Sequence, residues 1–276
     1  MPENLQDRVT LSNGVRIPWL GFGVFLMEPG EETKQSVRVA LETGYRSLDT
    51  AAIYGNEESV GQGIRNSGIP REDIFITTKV WNSDLGFEQT LKAFDTSCRK
   101  LNVETVDLYL IHWPVKGRYL EAWKALEKLY RESLVCAIGV SNFQIHHLQD
   151  ILAVCQDKPV VNQVEFHPLL QQPELRRFCT ENGIQLEAWA PLMQGHGMDH
   201  PLLVEIGGKY GKSPAQVLIR WDLQKEVVTI PKSVTPSRIL ENTQVFDFEL
   251  SPEDLARIDA LEEGQRFGAD PDNFNF

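Results

Sequence analysis

Eight short apolar runs, separated by amphipathic segments of helical period, follow one another along the chain, and this alternation restricts the fold more than any other feature. The runs are "WLGFG" (19–23), "YRSLD" (45–49), "IFITTK" (74–79), "VDLYLIH" (106–112), "CAIGV" (136–140), "VVNQVEF" (160–166), "IQLEAW" (184–189) and "VVTIP" (227–231). Several are apolar on both faces, as in strands covered by helices outside and by a packed interior within. Between them lie helical patterns such as "EETKQSVRVALETG" and "YLEAWKALEKLYRE", where Leu120, Trp123, Leu126 and Tyr130 form a core-facing stripe. Gly44 ends the first helix and Ser213-Pro214 opens a later one.

A length of 276 residues allows one or two domains. No linker or low-complexity run interrupts the alternation, so a single domain over residues 1–276 is expected. Eight βα units without a break fit a (β/α)8 TIM barrel better than an open doubly wound sheet. A dinucleotide fingerprint is also missing: "GFGVFL" has Leu26 and "GQGIRN" has Asn66 where GxGxxG needs its third glycine. An N-terminal β-hairpin, "RVTLSNGVRIP" with Asn13-Gly14 at its turn, precedes the barrel, and an extra helix follows Ser251.

Composition narrows the function. No apolar stretch approaches the roughly 18 to 20 residues needed to cross a bilayer, and "MPENLQDRVTLSNG" has neither the basic nor the apolar region of a secretory signal. A cytoplasmic protein is expected. Cys98, Cys136, Cys155 and Cys179 form no CxxC pair and read as small buried apolar residues. A net charge of -12 opposes binding to nucleic acid, and an anionic ligand would need a local basic patch.

On this strand assignment Asp49, Lys79 and His112 end the second, third and fourth strands, and Tyr54 lies in the loop after the second. In a TIM barrel these positions converge on one mouth. A free phenol has a pKa of about 10, and an ammonium at about 4 Å contributes roughly 4 kcal/mol at an effective dielectric near 20, enough to bring it toward 7. Lys79 would supply that charge, Asp49 would hold Lys79, and His112 would hydrogen-bond a substrate oxygen. Singly, each has a plainer role: a strand-end Asp caps a helix, a Tyr packs, a Lys is solvated, a His sits in the core. Their convergence favours a proton donor to a carbonyl oxygen, and since no side chain delivers hydride, a cofactor must.

"LDTAAIYGNEESVG", "ITTKVW", "LYLIHWP", "AIGVSNF" and "IPKSVTPSRILEN", in this order, resemble the aldo-keto reductase family, particularly its short bacterial members that reduce glyoxal, methylglyoxal and diketogluconate. The match runs from about Val9 past Ser251. The resemblance implies NADPH-dependent reduction of aldehydes and small dicarbonyls, with Tyr54 as general acid and Asp49, Lys79 and His112 completing a tetrad. It implies that Ser141, Asn142 and Gln163 hold the nicotinamide carboxamide and that Trp189, where many relatives have tyrosine, stacks under the ring. Gly23, Val24, Phe25, Asp49, Leu192, Gln194 and Val234 join the cofactor contacts. Lys232, Ser233 and Arg238 match the clamp on the 2'-phosphate, and Glu241 and Asn242 the adenine contacts. Lys and Arg give charge-assisted bonds to phosphate, so NADPH should be preferred to NADH.

Phe25, Trp81 and Trp113, beside Tyr54 and His112, should form the substrate wall. The short loop after "HWP" and the short tail "FGADPDNFNF" suggest an open mouth. Ser133 and Cys136 depart from the family's usual residues before the fifth strand, and His146 and His147 read as exposed. No metal is expected and a monomer is. Two other readings remain: a cofactor-binding redox sensor, favoured only if turnover is absent, and a metal-dependent hydrolase using Asp49, His112 and Lys79, weakened by the lack of HxH.

Overall fold

The computed structural model describes residues 2–276. Its sheet has eight parallel strands in sequence order, β3 (Phe22–Gly23), β4 (Ser47–Asp49), β5 (Phe75–Val80), β6 (Val106–Ile111), β7 (Val135–Ser141), β8 (Val161–Glu165), β9 (Gln185–Trp189) and β10 (Val228–Thr229). The sheet closes on itself: Gly21 N donates to Thr229 O at 2.9 Å, Thr229 N to Trp19 O at 3.0 Å and Gly23 N to Pro231 O at 3.2 Å. Helices α1 (Glu31–Thr43), α2 (Glu57–Ser67), α3 (Phe87–Leu101), α4 (Tyr119–Arg131), α5 (Ile145–Leu152), α6 (Pro173–Glu181), α7 (Pro201–Tyr210), α8 (Pro214–Gln224) and α9 (Pro236–Glu241) connect and surround the strands, and α10 (Pro252–Asp259) is the extra C-terminal helix. The expected barrel is the one observed. Among the described residues no helix is long and apolar enough to cross a membrane.

The first, second and last barrel strands are shorter than the sequence suggests. After β10 Pro231 brings no N–H to continue the ladder, and before β4 Tyr45 N donates back to Ala40 O in α1 at 3.0 Å instead of joining the strand. Helix ends follow their local signals. Gly44 adopts φ 113 and caps α1, while Ser213 and Gln216 form a reciprocal capping box at the start of α8.

The N-terminal hairpin pairs β1 (Arg8–Thr10) with β2 (Arg16–Pro18), Val9 opposite Ile17. Its turn holds Asn13 and Gly14, as expected. Leu11 N donates to Val15 O, Gly14 N to Leu11 O, and only Gly14 takes positive φ. The hairpin plugs the barrel floor: Leu11 and Ile17 pack with the inward side chains Phe75, Leu108, Leu110, Ala137 and Val161. A second cluster lies between strands and helices and includes Trp123 and Leu126 of the α4 stripe. The cysteines are only partly as expected. Cys98 and Cys179 are buried, but Cys155 is half-buried and Cys136, on the outer face of β7, is exposed.

Where α2 crosses α3, a Cβ on Gly61 would stand 2.3 Å from Leu101 O. Backbone cannot yield there as a side-chain tip would. Gly61→Ala is therefore expected to destabilise the fold by about 1 to 3 kcal/mol through forced separation of the two helices, read as a lower midpoint in urea unfolding.

Candidate active site

Strand alternation sorts the barrel interior by height. The lower inward positions are apolar, as above, while the upper ones on successive strands are Asp49, Lys79, Ser141, Gln163 and Glu187, with His112 just past β6. All six are buried. Tyr54 reaches them from a short 3-10 turn, Ala52–Tyr54, closed by Gly55 at φ 69. Asn56, fully buried, fixes that loop: its amide nitrogen donates to Val24 O at 2.9 Å and its oxygen accepts from Thr50 Oγ1 at 3.0 Å.

Lys79 Nζ, with no solvent exposure, donates to Asp49 Oδ1 at 2.6 Å and Thr50 O at 3.0 Å and lies 3.4 Å from Tyr54 Oη. The three protons of the ammonium thus have three oxygens. Tyr54 stands edge-on to His112, with ring centres 5.7 Å apart. The four residues expected to form the tetrad meet at one point.

Their electrostatics differ from the simple pairwise expectation. Burial raises the Tyr54 phenol above its ordinary value; Lys79 pulls it back, and Asp49 pushes it up again. The phenol is therefore not brought toward 7 in this site, because burial first, and then Asp49, outweigh the charge that Lys79 brings. Burial works against the Lys79 charge, but Asp49, then Tyr54 and Glu187, more than restore it, so Lys79 titrates higher than a free lysine. Burial, then Lys79, hold His112 well below the usual imidazole range. Its ring is neutral at physiological pH. His112 Nδ1 has no partner, which leaves Nε2 as the nitrogen available to a ligand.

Glu187 was not singled out in the sequence. Its Oε2 accepts from Gln163 Nε2 at 2.9 Å, and the same nitrogen donates to Asp49 Oδ2 at 2.7 Å. Burial, then the Asp49 charge, push Glu187 up to about 8.

Other expected residues lie around the same mouth. Ser141 ends β7, and Asn142, the next residue, takes φ 65. Its Nδ2 donates to His112 O at 3.0 Å and its Oδ1 accepts from the Trp189 indole N–H at 2.8 Å, a bond that tyrosine would not make in this form. Gly23 approaches the last strand so closely that a Cβ would lie 2.9 Å from Ile230 O. Leu192 and Gln194 lie in the loop after β9, where Ala190, Met193 and Gln194 all have positive φ. Beyond β10, Lys232, Val234 and Arg238 are exposed, Ser233 and Asn242 buried and Glu241 half-buried. Among the described residues neither Lys232 nor Arg238 has a carboxylate partner. In an acidic chain that leaves a local cationic rim, fitting an anionic group. Gln163 Oε1 accepts no hydrogen bond from the described residues, fitting an amide donor.

The Phe25 ring centre lies 5.0 Å from that of Tyr54 and the Trp81 ring centre 5.2 Å from that of His112, so these aromatic side chains stand beside the mouth. It is less open than expected. Phe276 stacks on Trp81 at 5.8 Å, Phe274 lies 5.1 Å from Trp113, and Asn82 Nδ2 donates to Phe276 O at 3.0 Å. Upstream, Glu165 Oε1 accepts from Phe267 N at 2.7 Å, anchoring the tail across the mouth. His147 is buried, not exposed. Its Nδ1 accepts from Gln144 N at 3.2 Å, capping α5, and exposed His146 lies 3.1 Å from Asp272 Oδ1 in the tail. With Nδ1 accepting, the His147 proton sits on Nε2, so these residues do not present a free ligand pair to a metal.

A family model described as the aldo/keto reductase family matches residues 20–200 and 198–263. A glyoxal reductase of Bacillus subtilis (strain 168) is 57% identical over 276 residues, covering 100% of both chains. Methylglyoxal reductase DkgA of Escherichia coli (strain K12) is 47% identical over 96% of this chain and 97% of its own. Among solved structures, a mutant of Gox0644 in complex with NADPH superposes with a TM-score of 0.94 at 42% identity, covering 98% of this chain and 99% of that one.

The buried Glu187 carboxyl makes stability depend on pH. Its value in the unfolded chain is near 4.5 and in the folded chain about 8, so between those limits unfolding releases a proton that the native state holds. Stability therefore falls as pH rises through this window. Urea unfolding should show wild type losing a few kcal/mol more than Glu187→Gln between about pH 5 and pH 8.

Proposed function

The chain belongs to the aldo/keto reductase family, and from that premise we propose that it reduces small aldehydes and dicarbonyls of the glyoxal and methylglyoxal type, using NADPH. NADPH, when bound, supplies hydride to the carbonyl carbon. The protein's own groups handle the oxygen. Tyr54 donates its phenolic proton to it, and the neutral His112 orients it by a hydrogen bond from Nε2. A phenol that burial keeps protonated suits this direction. Lys79, 3.4 Å from Tyr54 Oη, stabilises the phenolate left when the proton departs, and Asp49 keeps the ammonium charged and aimed. That contact is the observation on which the reading rests.

The residues suit the cofactor as a group. Ser141, Asn142 and Gln163 would hold the carboxamide, with the Gln163 oxygen facing its N–H. Trp189 would support the ring, and Gly23, Val24, Phe25, Leu192 and Gln194 would line the path outward. Lys232, Ser233, Val234 and Arg238 would clamp the 2'-phosphate, and Glu241 and Asn242 would take the adenine. Substrate would rest against Phe25, Trp81 and Trp113. The two unpaired cations favour NADPH over NADH, since each charge-assisted bond to phosphate contributes about 1.5 to 3 kcal/mol.

Tyr54→Phe should leave NADPH affinity nearly unchanged while lowering kcat for methylglyoxal by about a hundredfold or more, the scale of a lost general acid. Retention of most activity would contradict the assigned role. Lys232→Ala should raise Kd for NADPH by about tenfold or more and leave NADH little affected; fluorescence titration with both cofactors separates this from an equal loss.

A further inference from the structure

The search beyond the tetrad leads to Glu187. It lies on β9, in register with Gln163 on one side and Val228 on the other, and is almost wholly buried. Nothing cationic is left for it. Lys79 spends its protons on Asp49, Thr50 and Tyr54, and the β10 neighbour Val228 is apolar. The charged and titratable groups that act on Glu187 are Asp49 and Lys79; Gln163, which touches it, is neutral. Its Oε1 has no partner.

We propose that Glu187 is a positioning residue for the nicotinamide site, sharing the two Gln163 amide protons with Asp49 so that the Gln163 oxygen faces the carboxamide, and that it releases a proton when oxidised cofactor binds. This rests on the cofactor reading above.

The Gln163 orientation follows from chemistry. The Asp49 carboxylate is engaged by Lys79 and accepts only from N–H groups, so the Gln163 nitrogen must face it, and the same nitrogen reaches Glu187. The amide oxygen is left for an outside donor. The proton follows from charge. Two carboxylates and one ammonium would leave one buried negative charge without a partner, so Glu187 keeps its proton while the neighbouring ring is neutral, as in NADPH. In NADP+ the ring is cationic. That charge favours ionised Glu187, whose proton passes to the solvent, and the resulting carboxylate strengthens binding of the oxidised form.

Calorimetric titration with NADP+ and with NADPH, each in buffers of different ionisation heat near neutral pH, reads proton release directly. The 2'-phosphate is common to both forms and cancels in the comparison. Wild type should release a substantial fraction of a proton with NADP+ and almost none with NADPH. NADP+ affinity relative to NADPH should rise about fivefold between about pH 7 and pH 9, as one unit of pKa displacement produces over that range. Glu187→Gln should still bind NADPH but lose both the excess release and the pH trend, while Glu187→Asp, which keeps an ionisable group, should retain them in part. Equal proton release with both cofactor forms, or an unchanged NADP+-specific release in Glu187→Gln, would overturn the proposal while leaving the reductase reading intact. Failure of wild type to bind either cofactor would overturn both.

Discussion

The ion pair between Lys79 and Asp49, sealed inside the barrel, is the constraint from which the rest of the site follows. An ammonium removed from water is tolerated only where acceptors replace its hydration, and a carboxylate only where donors do. Those needs account for much of the upper barrel. Thr50 turns a carbonyl toward Lys79, Gln163 turns its amide toward Asp49, and the remaining ammonium direction is filled by Tyr54. The Tyr54 phenol thus occupies the place that completes a buried polar network. Removing one member would leave the others desolvated and unpaired, which is why the group acts as a unit.

The polar upper layer is affordable because the lower layer is dry and filled. The hairpin pushes Leu11 and Ile17 into the floor, where they meet Leu108, Leu110 and Val161, so the barrel interior is packed from beneath. Asn56 and Glu165 then hold one loop and the C-terminal tail against the mouth. Rigid strands carry the charges, and the loops bring the phenol and the aromatic wall.

The barrel and the meeting of Asp49, Lys79, His112 and Tyr54 are legible in the sequence for one reason: the chain repeats a local pattern, and strand ends in that pattern all face one way. Asp49, Lys79 and His112 each followed from a position relative to an apolar run. Glu187 did not, because "IQLEAW" reads as a mostly apolar strand and its acid as incidental. The signal was present in register, since Gln163 and Glu187 pair across β8 and β9 on the inward side. The contact of Asn82 and Trp81 with Phe276, 194 positions from Asn82, had no such signal, as neither segment is periodic. The ionisation of the phenol is not legible from its neighbour Lys79 alone, because burial and Asp49 act in the opposite direction.

The central claim is that the Lys79 charge, despite its pairing with Asp49, lowers the proton affinity of Tyr54 relative to what burial alone would impose. The most direct test is titration of the Tyr54 ring by NMR with ring-labelled tyrosine, using Tyr54→Phe to identify its signal, in wild type and in Lys79→Met. The account predicts that the phenol of Lys79→Met titrates at least about one unit higher than in wild type, since the ammonium is gone and Asp49 remains. An unchanged or lower midpoint in Lys79→Met would contradict it.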